Sequence, residues 1–537
     1  MASRSVEAPP ERPEPVAPSE RAPGPLLSRA ATWFGLAAAA VLIAGIVLRF
    51  WAKSPLWLDE ANTVSIAGLP FSRIADALRH DGAPPLYYVL LHGWIRLFGT
   101  SDLAVRSLGG VIAVATFPFM WMAGRRVGGR AGAWVALLLL ASSPFAVRYA
   151  TEARMYSLVI LLVVCGYLAL ARVLERARPR PLDLAALTVI TALLLYTHYW
   201  SVYLLVVVAA LLAWRVRVRP EDRTAAVWAL VAIGGGCVLF LPWVPIFLTQ
   251  VRHTGTPWAE PASFSAMVNA ISEFAGGKSS VGRGLGLTFF ALTFLALFGM
   301  ALDGHRIELD LRTRPRSRML AIATAGTLAL AIAVGYVSRS AFQGRYAAIV
   351  LPIFLLLVVL GMATLADRRV WTGVLTVAVV LGLAAAASNV TTDRTQAGQV
   401  AAAIRASAKP GDVVGYCPDQ LGPSVSRLLP SDLVQLTFPT DMPPQRVDWS
   451  DYAARNAAGQ PAAYAQTLVA KAGPGHNIWL VWLSGYRTLD FKCEAVTGQL
   501  ASLRPGTTQV VRPNTNGQDN LTGVYEQQAL YRYPATP

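Results

Sequence analysis

Long apolar runs alternate with short polar stretches along the chain, and the runs are the length of a bilayer. They cover Trp33–Phe50, Leu103–Gly124, Ala131–Val147, Tyr156–Leu174, Leu184–Tyr199, Ser201–Trp214, Ala225–Phe247, Leu285–Leu302, Met319–Val337, Ala347–Leu365 and Trp371–Ala387. A helix needs about 20 apolar residues to cross the hydrocarbon core, so the pattern predicts a polytopic α-helical membrane protein with roughly eleven transmembrane helices.

The first long polar gap, Trp51–Asp102, holds two amphipathic pieces broken by Asp81-Gly82-Ala83-Pro84-Pro85. The second piece, Leu86–Phe98, is too short and too polar to span, and both are expected to lie in the interface as helices. After Ala387 the pattern changes. Helical "AGQVAAAIRASA" leads to strand-like "VVGYC", helical "GPSVSRLL" to "LVQLTF", and helical "YAQTLVAKAG" to "IWLVWLSG". That alternation predicts a small α/β domain over 388–537 with a mainly parallel sheet.

Composition agrees with a membrane chain: 54% of residues are hydrophobic and only 15% charged. The net charge of +16 raises nucleic-acid binding, but its distribution excludes that class. The basic residues sit in short links: Arg125, Arg126 and Arg130; Arg172 to Arg180; Arg215 to Arg223; Arg306 to Arg318. This is the positive-inside pattern of cytoplasmic loops. It places the N-terminus inside and, with an odd number of crossings, the C-terminal domain outside the cytoplasm. Residues 1–32, rich in Pro, Glu, Arg and Ala, read as a disordered cytoplasmic tail. No early apolar segment with a cleavage site is visible, so the first run reads as a retained anchor. Residues 33–387 then form the transmembrane domain.

Cys165 and Cys237 lie in apolar runs and read as buried small hydrophobes. Cys417 and Cys493 lie in the C-terminal domain; outside the cytoplasm they could form a disulfide, with two free thiols as the alternative.

Charges at membrane depth are costly and point to function. Here they gather at the outer ends of the runs. Asp59 and Glu60 follow the first run in "SPLWLDEANTVS", where Trp51 and Trp57 read as interface anchors. His80, Asp81 and Tyr87 lie in the same gap, Glu152, Arg154 and Tyr156 in "RYATEARMYSL", His198 and Tyr199 in "LYTHYW", and Arg345 and Tyr346 in "FQGRYAAIVLP". Singly, each has an ordinary reading as a cap, a belt aromatic or a snorkelling base. Together they offer a carboxylate to take a hydroxyl proton, guanidiniums to bind phosphate, and aromatics for sugar rings. No zinc-ligand spacing and no Walker-type loop is visible, so the substrate itself must be activated.

At these residues the chain resembles the GT-C membrane glycosyltransferases, in the branch of protein O-mannosyltransferases and bacterial aminoarabinose transferase. "WLDEA", "HDGAPPLYYVLLHGWIRLFG", "EARMYSL", "YTHYWSVYLL" and "GRYAAIVLP" resemble that group's segments in the same order, over roughly residues 33–365. The resemblance implies inverting transfer of a sugar from a polyprenyl-phosphate donor to a hydroxyl of a cell-envelope glycan, lipid or protein on the outer face of the membrane. Asp59 would be the catalytic base, Glu60 would orient Asp59 or the acceptor, and Glu152 would be a supporting carboxylate. Arg345, with Arg154 or Lys278, would bind the donor phosphate. His80, Asp81, Tyr87, Tyr156, His198, Tyr199 and Tyr346 would line the substrate cavity. Some relatives use a divalent metal (Mg, Mn or Ca) and others do not; Asp59 and Glu152 could hold one. The C-terminal domain departs from the shortest relatives and is expected to recognise the acceptor. The Ala/Arg/Gly bias suggests a bacterial plasma-membrane protein, where mannose or arabinose is the expected sugar. A transporter or flippase of lipid-linked sugar is the alternative. A non-catalytic glycan-binding assembly protein is a third reading. The transporter reading is disfavoured by the lack of a clear internal repeat and by a polar cluster at one face.

Overall fold

The computed structural model describes residues 25–255, 262–303, 305–338, 340–514 and 524–536. Seven of its helices are long and apolar enough to cross a membrane, and three shorter apolar helices, Thr32–Leu48, Pro181–Thr197 and Leu351–Met362, accompany them. Each run read from the sequence falls on one of these ten, some with trimmed ends. The last residues of Leu285–Leu302 leave the helix as strand β1 (Gly299–Ala301), which pairs antiparallel with β2 (Ile307–Leu309). The first helix starts at Pro25, so the tail expected over 1–32 is helical in its last part, while 1–24 lies outside the described residues.

Asp102–Ser142 contains two of the expected runs. A straight helix would place Gly124 and Gly132 about 12 Å apart. Instead a Cβ at Gly124 would meet the Gly132 carbonyl oxygen at 2.6 Å. The chain doubles back at Gly128 and Gly129, and Gly129 has φ 63°, a conformation that suits a residue without Cβ. The returning arm ends against Arg49 of the first helix. This buried guanidinium donates to the carbonyls of Ala141 (2.8 Å) and Leu140 (2.6 Å) in the last turn of the arm, where helix carbonyls run short of partners. Cys237, expected to be buried, is exposed on the outer surface of its helix, and Cys165 is half-buried.

Three short helices fill the first polar gap: Leu58–Ala67, Phe71–Arg79 and Leu86–Phe98. The last two are the amphipathic pieces read from the sequence. Leu58–Ala67 differs from them, with Glu60, Ala61, Asn62, Thr63 and Val64 all buried.

The C-terminal region forms a five-stranded sheet of order β4-β3-β5-β7-β6, from β3 (Val413–Cys417), β4 (Val434–Thr437), β5 (Ile478–Trp482), β6 (Thr508–Val511) and β7 (Ala529–Tyr533). The three strands visible in the sequence pair in parallel, as expected. β6 and β7 were not visible and join antiparallel, so the sheet is mixed. Cys417 and Cys493 form a disulfide between β3 and the helix Lys492–Leu503.

This domain docks on the first polar gap through polar contacts. Arg394 donates to the Thr151 carbonyl (2.8 Å) and Oγ1 (2.6 Å). The Val447 amide donates to Asn62 Oδ1 (3.1 Å), and the Leu58 amide to Glu526 Oε2 (3.0 Å).

Candidate active site

Trp57 is extended and caps the helix Leu58–Ala67, with its amide donating to Glu60 Oε2 at 3.5 Å. Two acids in a first turn sit well against the helix dipole. Successive residues of a helix point about 100° apart, so adjacent acids cannot share a face. Glu60 turns inward and is fully buried. Arg106 grips it with Nε to Oε1 at 2.8 Å and Nη2 to Oε2 at 2.6 Å, and the Ala153 amide adds a bond at 2.9 Å. Glu60 therefore ties the helix to its neighbours, which leaves it no free oxygen with which to orient an acceptor.

Asp59 turns the other way, into a cavity of about 240 Å³. Arg345 Nη2 lies 3.4 Å from its Oδ2, and Arg154 Nη2 lies 3.9 Å from the same atom. Arg154 is held by Thr63 Oγ1 (2.8 Å) and Tyr88 Oη (3.4 Å), and Thr63 in turn donates to the Asp59 carbonyl. Arg345 comes from the 3₁₀ turn Gly344–Ile349 and lies over the rings of Trp57 (5.4 Å) and Tyr346 (5.7 Å). Trp57, expected as an interface anchor, is instead buried beneath this guanidinium, whereas Trp51 is exposed.

Tyr156, His198, Trp200 and Tyr346 make the aromatic wall of the cavity, with ring centroids 4.9–5.9 Å apart between neighbours. The Trp200 amide donates to His198 Nδ1 (3.2 Å), which makes that nitrogen an acceptor and sets the ring's proton on Nε2. Tyr199 also lines the cavity; it bonds Gln250 and accepts from Trp243 Nε1. Asp81 closes one side, bonded to Tyr88 and to Asn62 Nδ2 (2.6 Å). Burial pushes its carboxyl above the usual carboxylate range, and Arg154 works against that shift.

Asp59, Asp81, Arg154, Tyr156, His198, Tyr199, Arg345 and Tyr346 thus converge as expected from the sequence. Five expected residues do not. Glu60 is held by Arg106. Glu152 is buried away from the cavity and paired with Arg148 (2.9 Å), one helical turn earlier. His80 faces Asp448 (3.2 Å) and joins the C-terminal domain to the gap. Tyr87 packs into the core, and its neighbour Tyr88 takes the polar contact. Lys278 lines a separate apolar groove of about 840 Å³ with Met267, Arg283, Phe290 and Phe354.

A divalent cation fits this site poorly. Asp59 and Glu152 each face a guanidinium, whose charge opposes a second cation. Among the described residues, no three His, Cys, Asp or Glu side chains cluster as metal ligands.

Residues 82–246 match the family model "Dolichyl-phosphate-mannose-protein mannosyltransferase". The structure superposes on ArnT from Cupriavidus metallidurans bound to undecaprenyl phosphate, with 15% identity, TM-score 0.57, and 95% of this chain and 100% of that chain covered. The apo state of the same protein gives 14% identity, TM-score 0.58 and the same coverage. The chain shares its fold with this protein. No curated protein matches it by sequence. The matched segment runs from Gly82 through Arg154 and His198 and supplies much of the wall of the cavity described above.

The sequence reading missed several site residues. Arg106 lies inside an apolar run and carries no motif, so a charge at membrane depth was its only signal; Arg148 opens "RYATEARMYSL" but was not singled out there. Trp200 closes the motif "LYTHYW" but was not singled out as a site residue. Tyr486, Tyr525 and Glu526 reach Asp59 from the C-terminal domain, and nothing in the local sequence announces it.

Proposed function

We propose that the chain transfers a sugar from a polyprenyl-phosphate donor to a hydroxyl acceptor, with inversion, at the outer face of a bacterial plasma membrane. The observation that carries this reading is Asp59 Oδ2 facing two guanidiniums in an aromatic-walled cavity. The donor phosphodiester, a monoanion with two unbridged oxygens, takes guanidinium donors from Asp59, and the arginines then meet the second charge that develops as the sugar leaves. Asp59 then accepts the proton of the acceptor hydroxyl as that oxygen bonds to the anomeric carbon. The bond from that carbon to the phosphate oxygen breaks, and polyprenyl phosphate leaves with the electron pair, stabilised by Arg345 and Arg154.

The apolar groove beside the helix Phe264–Phe274 suits the polyprenyl chain, with Lys278 and Arg283 at its polar rim. Glu273 of that helix touches Gly344, so the groove adjoins the turn that carries Arg345. The Arg-rich links and the Cys417–Cys493 disulfide support an outer location for the C-terminal domain.

Mannose or an arabinose-like pentose is the proposed sugar. The test is a screen of polyprenyl-phosphate mannose, glucose, galactose and arabinose with purified protein and an envelope-glycan acceptor fraction. A glycosylated product from one donor is expected. No transfer from any of the four refutes this reading.

A further inference from the structure

A cavity of about 390 Å³ lies between the helices Tyr156–Leu174, Pro181–Thr197, Ser201–Val218 and Pro315–Ala321. Its walls are apolar and include Val163, Leu194, Leu204, Val208, Leu212 and Leu320. It is separate from the site around Asp59. Tyr156 opens its helix in that site, whereas Glu175, just past the far end of the same helix, lines this cavity. The helix has 19 residues, so the two lie about 28 Å apart along its axis.

The depth of the cavity defines the apolar part of its occupant. Along Ser201–Val218 the lining runs from Leu204 to Arg215, about 16 Å of helix rise. That is half of a hydrocarbon core of about 30 Å, the depth of one leaflet. The acyl chain of a glycerophospholipid has this reach, and a polyprenyl chain overruns it.

The polar end selects the headgroup. Arg215 bonds Asp222 through Nε (2.9 Å) and Nη2 (2.7 Å), and Arg126 bonds Glu175, so both acids are already taken. Arg316 is exposed and has no ion-pair partner among the described residues. It stands one turn before Leu320 on the same face of Pro315–Ala321, at the Arg-rich end of the cavity. Its charge acts at Tyr167 Oη, a half-buried hydroxyl of the cavity wall with no hydrogen-bond partner among the described residues. A net positive charge and free donors thus stand at the end of an apolar shaft. An ammonium group would find only carboxylates that arginines already hold.

We propose that this cavity binds one acyl chain of an anionic glycerophospholipid from the leaflet at the Arg-rich face, with the lipid phosphate held by Arg316 and Tyr167 Oη. The chain fills the space between Pro315–Ala321 and the three helices opposite, and so ties them together. The proposal is independent of the transferase reading, because no residue of this cavity belongs to the site around Asp59.

Native mass spectrometry of the purified full-length chain, titrated with phosphatidylglycerol, phosphatidylethanolamine or undecaprenyl phosphate, tests it. One phosphatidylglycerol is expected to stay bound at concentrations where phosphatidylethanolamine does not. Arg316→Ala is expected to weaken that binding about five-fold, the worth of one arginine at an anionic lipid surface. Arg369→Ala, which removes an exposed arginine from the start of the helix Arg368–Thr391, is expected to leave it unchanged. Leu320→Trp, which fills the shaft, is expected to abolish it and, with it, the rise in unfolding midpoint that phosphatidylglycerol gives the wild type. Equal retention of the two phospholipids overturns the proposal, as does equal weakening by Arg316→Ala and Arg369→Ala. Normal binding by Leu320→Trp places the lipid elsewhere, and displacement by equimolar undecaprenyl phosphate gives the cavity to a polyprenyl lipid; either result overturns it too.

Discussion

Asp59 Oδ2 and Arg345 Nη2 lie 3.4 Å apart at the junction of two cavities, one walled by the membrane helices and the other by the C-terminal domain. In the proposed reaction Asp59 is released when the donor phosphate engages the same guanidinium, which would couple donor binding to base activation through one contact.

Asp59→Asn keeps the shape of the side chain and removes the base. Sugar transfer is expected to fall by about 10²–10⁴-fold, the usual worth of a positioned general base. Expression and thermal unfolding are expected to stay near wild type. Single-turnover transfer from saturating donor checks this, and an unchanged rate removes Asp59 from the chemistry.

Arg345→Ala is expected to raise the donor KM more than it lowers turnover at saturation. Arg345→Lys is expected to recover little, because a point charge replaces a planar fork that lies over two aromatic rings. Donor titration of both variants decides; full rescue by lysine would mean that charge alone suffices.

Glu60 and Arg106 are expected to act through stability. Arg106→Ala leaves the Glu60 carboxylate buried without its main partner, a loss of about 3–5 kcal/mol for a buried pair. Thermal unfolding in detergent should show a markedly lower midpoint. Glu60→Gln should lower the midpoint less and leave the pH profile of turnover unmoved. A displaced pH profile would restore Glu60 to the reaction.

The docking of the C-terminal domain is expected to respond to pH. Burial pushes the carboxyl of Glu526 up to about 7, and that of Asp419 likewise to about 7, despite hydrogen bonds to both. An acid raised in the folded state binds its proton more tightly there than in the unfolded chain. The resulting stability is present below its unfolded pKa and is lost as pH rises toward about 7. The unfolding midpoint should therefore fall between about pH 5 and about pH 8, and Glu526→Gln should reduce that slope. An equal slope in the variant would refute the assignment to Glu526.

The membrane part was legible because its determinant is local. An apolar run of bilayer length has few alternatives to a helix, and the outer ends of those runs carried Asp59, Arg154, His198 and Arg345 in readable motifs. The three strands Val413–Cys417, Val434–Thr437 and Ile478–Trp482 were legible for a similar reason, since each is a short apolar run bounded by turn residues. β7 was not: "ALYRY" mixes polar and apolar positions, and its place between β5 and β6 depends on pairing across the domain.

The sequence by itself determined that acids and arginines gather at one face of a helical membrane protein. The resemblance already gave Asp59 and Glu60 different roles, but the sequence could not show why, because that depends on which side of a buried helix each faces and on Arg106, 46 positions on from Glu60. Nor could it show that Glu152 belongs to Arg148 or that Lys278 lines a different groove. Only the tertiary structure brought Tyr486, Tyr525 and Glu526 to line one cavity with Asp59. That cavity joins residues more than 400 positions apart, and no local pattern of hydrophobicity encodes such a distance.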